Sequence, residues 1–181
     1  MKILGTYKSK TEFTKRYAEI IAKEVDGYLV DFNEVTIERM SEFDVVVYGG
    51  GIYAGMVNGL KKAKEMFEES SAKKMIVFAT GGAPNAAVNE TDDIWAHNLS
   101  VEESESIPHF YMQGGICYEK MSFVNRTFMK MISKALSKKK NKDSEEEGFS
   151  QAITSSYDIS SEEYAQPLIR YLLEGQRRKE K

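Results

Sequence analysis

Apolar and polar positions follow two rhythms along this chain. Dense apolar runs fall at Lys2 to Tyr7, Tyr28 to Phe32, Val45 to Tyr48, Lys74 to Thr80 and Phe110 to Gln113. Runs this short, rich in β-branched and aromatic residues, predict strands buried on both faces. Between them the period lengthens. Phe13, Tyr17, Ile20 and Ile21 recur at helical spacing, with Val25 near the end and Gly27 as the stop; Ile37 and Met40 mark one or two turns over Thr36 to Phe43. Leu60, Ala63, Met66 and Phe67 predict a helix to about Glu69, and acidic Asn89 to Ser106, with Trp95, another short one. Ser160-Ser161-Glu162-Glu163 has capping-box spacing ahead of Tyr164, Leu168, Tyr171 and Leu172, while Pro167 moves the regular start towards Gln166. Strand and helix in alternation predict an α/β fold, a parallel sheet covered on both sides, in one domain spanning residues 1–181.

Glycines punctuate the strands. The central run is expected to stop at Gly49-Gly50-Gly51, the next at Gly81-Gly82, and the last at Gly114-Gly115. A single pair is an ordinary strand-to-helix turn, but three at equivalent ends point to one ligand cleft. In open α/β sheets ligands sit beyond the carboxyl ends of the strands, where strand order reverses. Ser9, Thr11 and Thr14 place hydroxyls where the first helix begins, a position suited to phosphate as well as to ordinary capping.

Composition narrows the classes. Cys117 is the single cysteine, so no internal disulfide forms and the chain is expected to be intracellular, with no leader ahead of the first strand. Apolar runs fall well short of the roughly 20 residues a spanning helix needs. His97 and His109 have no neighbouring Cys or second His, so no metal site is expected, and nucleic acid is not an expected partner.

The net charge of −3 hides an asymmetry. Lys120 to Lys142 holds eight Lys or Arg and no acid, so the remainder, with 17 basic against 28 acidic residues, stands at −11. Within residues 119–148, read as a helical insertion and charged hinge, Met121, Val124, Phe128, Met131, Ile132 and Ala135 form a helical stripe. Phe123, Met129 and Leu136 widen it, and Lys120, Arg126, Lys130, Lys134 and Lys138 carry the charge. Such a helix either packs on the domain with its basic face solvated, or lies on an anionic membrane surface and takes a lipid-soluble partner. Residues 138–148 read as a mobile, charged hinge.

Ser9-Lys10-Thr11-Glu12-Phe13-Thr14 resembles the flavodoxin phosphate loop, Ser/Thr-x-Thr-Gly-x-Thr, at every hydroxyl position. Gly49-Gly50-Gly51-Ile52, Gly114-Gly115-Ile116-Cys117-Tyr118 and Phe128-Met129-Lys130-Met131-Ile132 are similar to segments of the menaquinone-dependent protoporphyrinogen dehydrogenase family. The resemblance implies a flavodoxin-like, doubly wound five-stranded parallel sheet in order 2-1-3-4-5, with FMN at its carboxyl edge and the basic helical insertion after strand 5. Ser9, Lys10, Thr11, Phe13 and Thr14 would hold the phosphate. Gly51, Ile52 and Tyr53 would flank the flavin on one side, and Thr80, Gly81 and Gly82 on the other. Tyr53, Trp95 and Tyr118 are the candidates for stacking, and no side chain is needed as a catalytic base.

The implied function is an FMN-dependent oxidoreductase of the protoporphyrinogen or quinone-linked type, cytoplasmic or peripheral at the inner membrane surface. The alternatives are a carrier exchanging electrons with a redox partner protein, or an interaction module of the same fold that has lost the flavin. One position departs from the pattern: Glu12 stands where the family has glycine. Its carboxylate either points to solvent, offset by Lys8 and Lys10, or obstructs the approach of phosphate to the backbone.

Overall fold

The computed structural model describes residues 1–86, 88–138 and 154–179. Its strands are β1 (Ile3–Lys8), β2 (Tyr28–Asp31), β3 (Val45–Tyr53), β4 (Met56–Val57), β5 (Lys74–Gly81), β6 (His109–Gln113), β7 (Gly115–Ile116) and β8 (Tyr157–Asp158). Its helices are α1 (Phe13–Glu24), α2 (Ile37–Ser41), α3 (Leu60–Glu69), α4 (Val88–Asn98), α5 (Val101–Ser106), α6 (Phe123–Lys138) and α7 (Gln166–Lys179). The main sheet runs β2-β1-β3-β5-β6 with every neighbour parallel. Counted over the parallel strands alone this is the order 2-1-3-4-5, a flavodoxin-like doubly wound sheet.

Alternation along each strand sends side chains into two cores. Val45, Val47, Ile76 and Phe78 meet Tyr17, Ile21, Leu168 and Leu172 on the face covered by α1 and α7. Val46, Tyr48, Met75 and Val77 meet Met40, Leu60, Ala63 and Trp95 on the face covered by α2, α3 and α4. Burial on both faces is why these strands read as continuous apolar runs, not as alternating ones. The connections from β1 leave towards β2 on one side and, later, β3 on the other, so the reversal falls between β1 and β3.

Four local expectations change. First, β3 does not stop at its glycines: Gly49, Gly50 and Gly51 continue the ladder opposite Phe78, Ala79 and Thr80. Their bareness serves packing, because a Cβ on Gly49 would lie 2.2 Å from the Phe78 ring and one on Gly50 2.5 Å from Val57. Second, β3 then turns back through Ala54 and Gly55, whose φ values of 49° and 79° give the mirror-image turn suited to a tight hairpin, and pairs with β4. Third, the acidic segment forms two helices, α4 and α5, separated by a capping box in which Ser100 and Glu103 satisfy each other's backbone N–H groups. Fourth, the C-terminal cap is Ser161 on a short 3-10 turn, Glu162–Ala165, and not a box with Ser160; regular helix begins at Gln166, as Pro167 requires. Of the charged hinge over residues 138–148, all but Lys138 lies outside the described residues.

Candidate functional site

Beyond the carboxyl ends of β1, β3 and β5 lies a cavity of about 420 Å³. Thr11 and Phe13 reach it from the loop into α1, Gly51, Ile52 and Tyr53 from the end of β3, and Thr80, Gly81 and Gly82 from the end of β5. Eight of the eleven residues expected to hold a cofactor thus border one space, as a shared cleft requires. Its size falls in the range usual for sites that take a small organic molecule, roughly 300–1,000 Å³.

The remaining three lie around it. Ser9 Oγ is buried and has no hydrogen-bond partner among the described residues, an orphaned hydroxyl beside the start of α1. Lys10 sets its ammonium 4.7 Å from the centre of the Tyr53 ring. Thr14 lies beneath the cavity wall, 2% exposed, its Oγ1 2.7 Å from that of Thr80, so these two hydroxyls tie α1 to β5.

Tyr53 bridges the two ends of the site. It is the residue just before the hairpin turn, its ring edge falls 3.3 Å from where a Cβ on Gly51 would stand, and its side chain hydrogen-bonds Thr11. Burial raises the phenol above its ordinary value of 10.0, and the Thr11 bond partly opposes this, so the phenol stays protonated at neutral pH. The hairpin is pinned from α4: Asn98 Oδ1 accepts from the Val57 N–H at 2.8 Å, and its Nδ2 donates to Gly55 O at 2.8 Å.

Trp95 and Tyr118 do not share this wall. Trp95 is buried in the core with its ring centre 4.8 Å from that of His109, and Tyr118 lines a separate open cleft with Arg126 and Lys130. Of the three stacking candidates, Tyr53 alone borders the cavity.

Glu12 resolves its own ambiguity. It precedes α1 in the left-handed conformation, φ 72°, and its side chain, 46% exposed, lies 4.0 Å from Lys15 and does not line the cavity. Glycine at this position of the loop motif therefore answers a backbone demand, and Glu12 meets the demand at a cost in strain.

Several supports were not legible in the sequence. β7 and β8 pair antiparallel over the outer edge of the site, and a Cβ on Gly115, φ 155°, would lie 2.1 Å from Tyr157 O. Tyr157 donates to Gly82 O at 2.8 Å and Tyr111 to Ala83 O at 2.7 Å, holding the loop after β5. Asn85 and Gln113 exchange two side-chain bonds across that loop, and Gln113 Nε2 reaches Ile159 O at 2.8 Å. Arg16 clamps the strap through Asp158 and Ser160, at 2.8 and 2.7 Å. The Asp158 carboxyl is held below its ordinary range: burial pushes it up, but the bonds from Ser160 and Arg16 outweigh that. These partners are distant in sequence, so no local pattern announces them. The outer wall is completed by Ile116, Met121 and Met129.

A doubly wound sheet with a cavity of bare peptide and hydroxyl groups at its switch point defines a nucleotide- or flavin-type α/β domain. The particular family follows from the chain itself: residues 5–144 match the flavodoxin domain family, and the chain belongs to it. Among solved structures it is similar to a flavodoxin from the domain Archaea at 16% identity, covering 71% of this chain and 90% of that one, TM-score 0.40. It is also similar to a flavoprotein in complex with FMN from Lactobacillus acidophilus at 15% identity, covering 62% and 91%, TM-score 0.40. A third is the oxidised flavodoxin 2 of Bacillus cereus, at 19% identity, 61% and 84% coverage, and TM-score 0.39. No curated protein matches the chain. The fold assignment rests on the strand order, not on these distant likenesses. Among the described residues no helix is long and apolar enough to cross a membrane, and no cluster of His, Cys, Asp or Glu could hold a metal ion.

Proposed function

We propose that this is an FMN-binding redox protein whose cofactor occupies the cavity between β1, β3 and β5. The observation that carries the reading is the convergence of Thr11, Gly51 and Gly81 on one space, with the unpartnered Ser9 hydroxyl beside the phosphate end. The residues fit the group. Ser9 and Thr11 offer hydroxyls, Lys10 offers charge, and beyond the exposed N-cap Glu12 the first turn of α1 carries no acidic residue. Gly81 and Gly82 offer peptide groups with no side chain between, since a Cβ on either would come within 3 Å of the Tyr111 or Tyr157 hydroxyl.

Bound there, FMN would supply one- or two-electron chemistry, and the chain's own task would be to hold, cover and tune it. Tyr53 would cover the ring, exchanging its bond to Thr11 for contact with the flavin. Ile52, Ile116, Met121 and Met129 would exclude water from the apolar side.

The finer reading is an oxidoreductase acting on a small lipid-soluble molecule, a quinone or a porphyrinogen, and not a pure carrier. It is supported by the outer wall: the basic insertion brings Met121 and Met129 to the cavity, adding flexible apolar surface beyond what holding FMN requires. A carrier would instead exchange electrons with a redox partner protein.

The test is an absorbance spectrum of the purified protein followed by FMN titration. Saturable binding with a perturbed flavin spectrum is expected, and no binding at high FMN would overturn the proposal. The reduced protein should then reduce a soluble quinone analogue directly; turnover only through an added acceptor protein would assign it to the carriers.

A further inference from the structure

Helix α6 is apolar on two sides, and only one is accounted for. Met129 faces the cavity. Away from it Phe123, Val124 and Met131 stand 84%, 73% and 63% exposed, three of the seven large apolar side chains found exposed among the described residues. Phe123, Thr127 and Met131 follow one another at single-turn spacing, and exposed Lys130 and Lys134, which also border the open cleft beside Tyr118 and Glu119, lie on the same side. No acid occurs anywhere from Lys120 to Lys142.

We propose that this outer face docks the protein on an anionic lipid bilayer, with α6 lying flat in the headgroup region. At 16 residues the helix is about 24 Å long, and its lysines bar it from spanning. Apolar side chains that enter the acyl boundary between lysines that meet lipid phosphates are the pattern of an interfacial helix.

Charge complementarity favours lipid over the other occupants. A second copy seated on this face by two-fold symmetry would set the lysines of one helix against those of the other. Three apolar side chains also offer far less than the roughly 800 Å² per partner of a standard interface. An anionic bilayer attracts the basic helix while repelling the rest of the chain at −11, and so fixes which side faces the membrane. The inference does not need the flavin. If the flavin reading also holds, docking sets the helix that walls the cavity through Met129 against the bilayer.

The test is sedimentation of the full chain with vesicles of phosphatidylcholine, alone or containing phosphatidylglycerol. Binding to the anionic vesicles is expected, with little to the neutral ones, and weakening as salt is raised. The F123S/V124S/M131S variant should lower the partition coefficient at least about tenfold, since each exposed apolar side chain adds to insertion. K130E/K134E should also lower it about tenfold or more, at roughly fivefold per lysine near the surface. F123L/V124L/M131L, which keeps the apolar face, should bind as the parent does. Parent protein that stays in the supernatant, or a serine variant that sediments unchanged, would overturn the proposal. Lipid-free dimerisation that the serine variant abolishes would assign the face to a second copy instead. FMN titration of the serine variant separates the two readings: unchanged affinity with lost sedimentation leaves the cavity intact, and the reverse would show that α6 shapes the cavity alone.

Discussion

The inner and outer walls of the cavity are held by different means. Gly51 and Gly81 belong to the main sheet, fixed between neighbours by continuous backbone pairing and by the closely packed side chains beneath them. Ile116, Met121 and Met129 belong to a cover, held together by the two-residue β7–β8 pair and tied to the sheet and α1 by side-chain bonds of Arg16, Gln113 and Tyr157. The first wall cannot move without unmaking the fold. The second can be altered locally, so on the proposed function the scaffold would hold the cofactor and the cover would set access to it.

The largest effect that would test this division is at Gly49→Val. Its first added carbon would lie 2.2 Å from the end of the Phe78 ring, inside the core covered by α1 and α7. Overpacking of this kind costs about 1–3 kcal/mol and more where the neighbours cannot shift, so a loss of about 3 kcal/mol or greater is expected in urea unfolding. A variant as stable as the parent would mean that Phe78 has room to rotate away. Two residues on, Gly51→Leu should do the opposite. A Cβ there meets Tyr53 at 3.3 Å and Thr14 at 3.4 Å, tight but tolerable, and the rest of the side chain enters the cavity. Flavin binding should be lost in titration with the unfolding midpoint nearly kept; retained affinity would make the glycine a turn residue only.

A smaller effect comes from the phenol under the inner wall. Tyr48 is fully buried beside the glycines and donates to Asn58 O at 2.5 Å; burial, with a contribution from the Asp31 charge, raises its pKa above the ordinary 10.0. The folded protein keeps a proton that the unfolded chain releases. The stabilisation is therefore fully present below about pH 10 and declines as pH rises, by about 1.4 kcal/mol per unit for a single group. Tyr48→Phe should flatten that decline between pH 10 and 11 in denaturant titrations. Equal slopes in the two proteins would place the alkaline sensitivity elsewhere, in Tyr17 or Tyr157, whose phenols burial also raises.

The inner wall was legible in the sequence and the cover was not. Buried parallel strands announce themselves as apolar runs, and their order follows from alternation with helices, so Val45 to Tyr48 and Met75 to Ala79 located the sheet and Thr11, Gly51 and Gly81 its edge. What the glycines do was harder to read. Gly49 and Gly50 are bare because Phe78 and Val57 fill their space, and such contacts join residues on different strands. The β7 and β8 pair joins residues 41 and 43 apart, and the Arg16 clamp reaches Asp158 across 142 positions. No periodicity records partners at that distance. Asn98, which pins the hairpin, is an unremarkable polar residue at the end of an acidic helix until Val57 and Gly55 are placed beside it.

Glu12 lies at the seam between sequence pattern and backbone geometry, and its replacement has the smallest expected effect. A left-handed residue with a side chain costs about 1–2 kcal/mol, and glycine returns about 0.5–1 kcal/mol of that as greater freedom in the unfolded chain. Glu12→Gly should therefore stabilise the protein by roughly 0.5–1 kcal/mol, read as a higher denaturation midpoint. The lost ion pair with Lys15 subtracts little, because at 4.0 Å and more than 40% exposure on both sides it is a weak surface contact. Flavin affinity should change by less than about threefold, since the carboxylate is partly solvated and does not line the cavity while Thr11 and Ser9 remain. Tightening of tenfold or more would mean that the carboxylate acts on the phosphate from where it stands, and that the departure from glycine restrains binding by charge and not merely by strain.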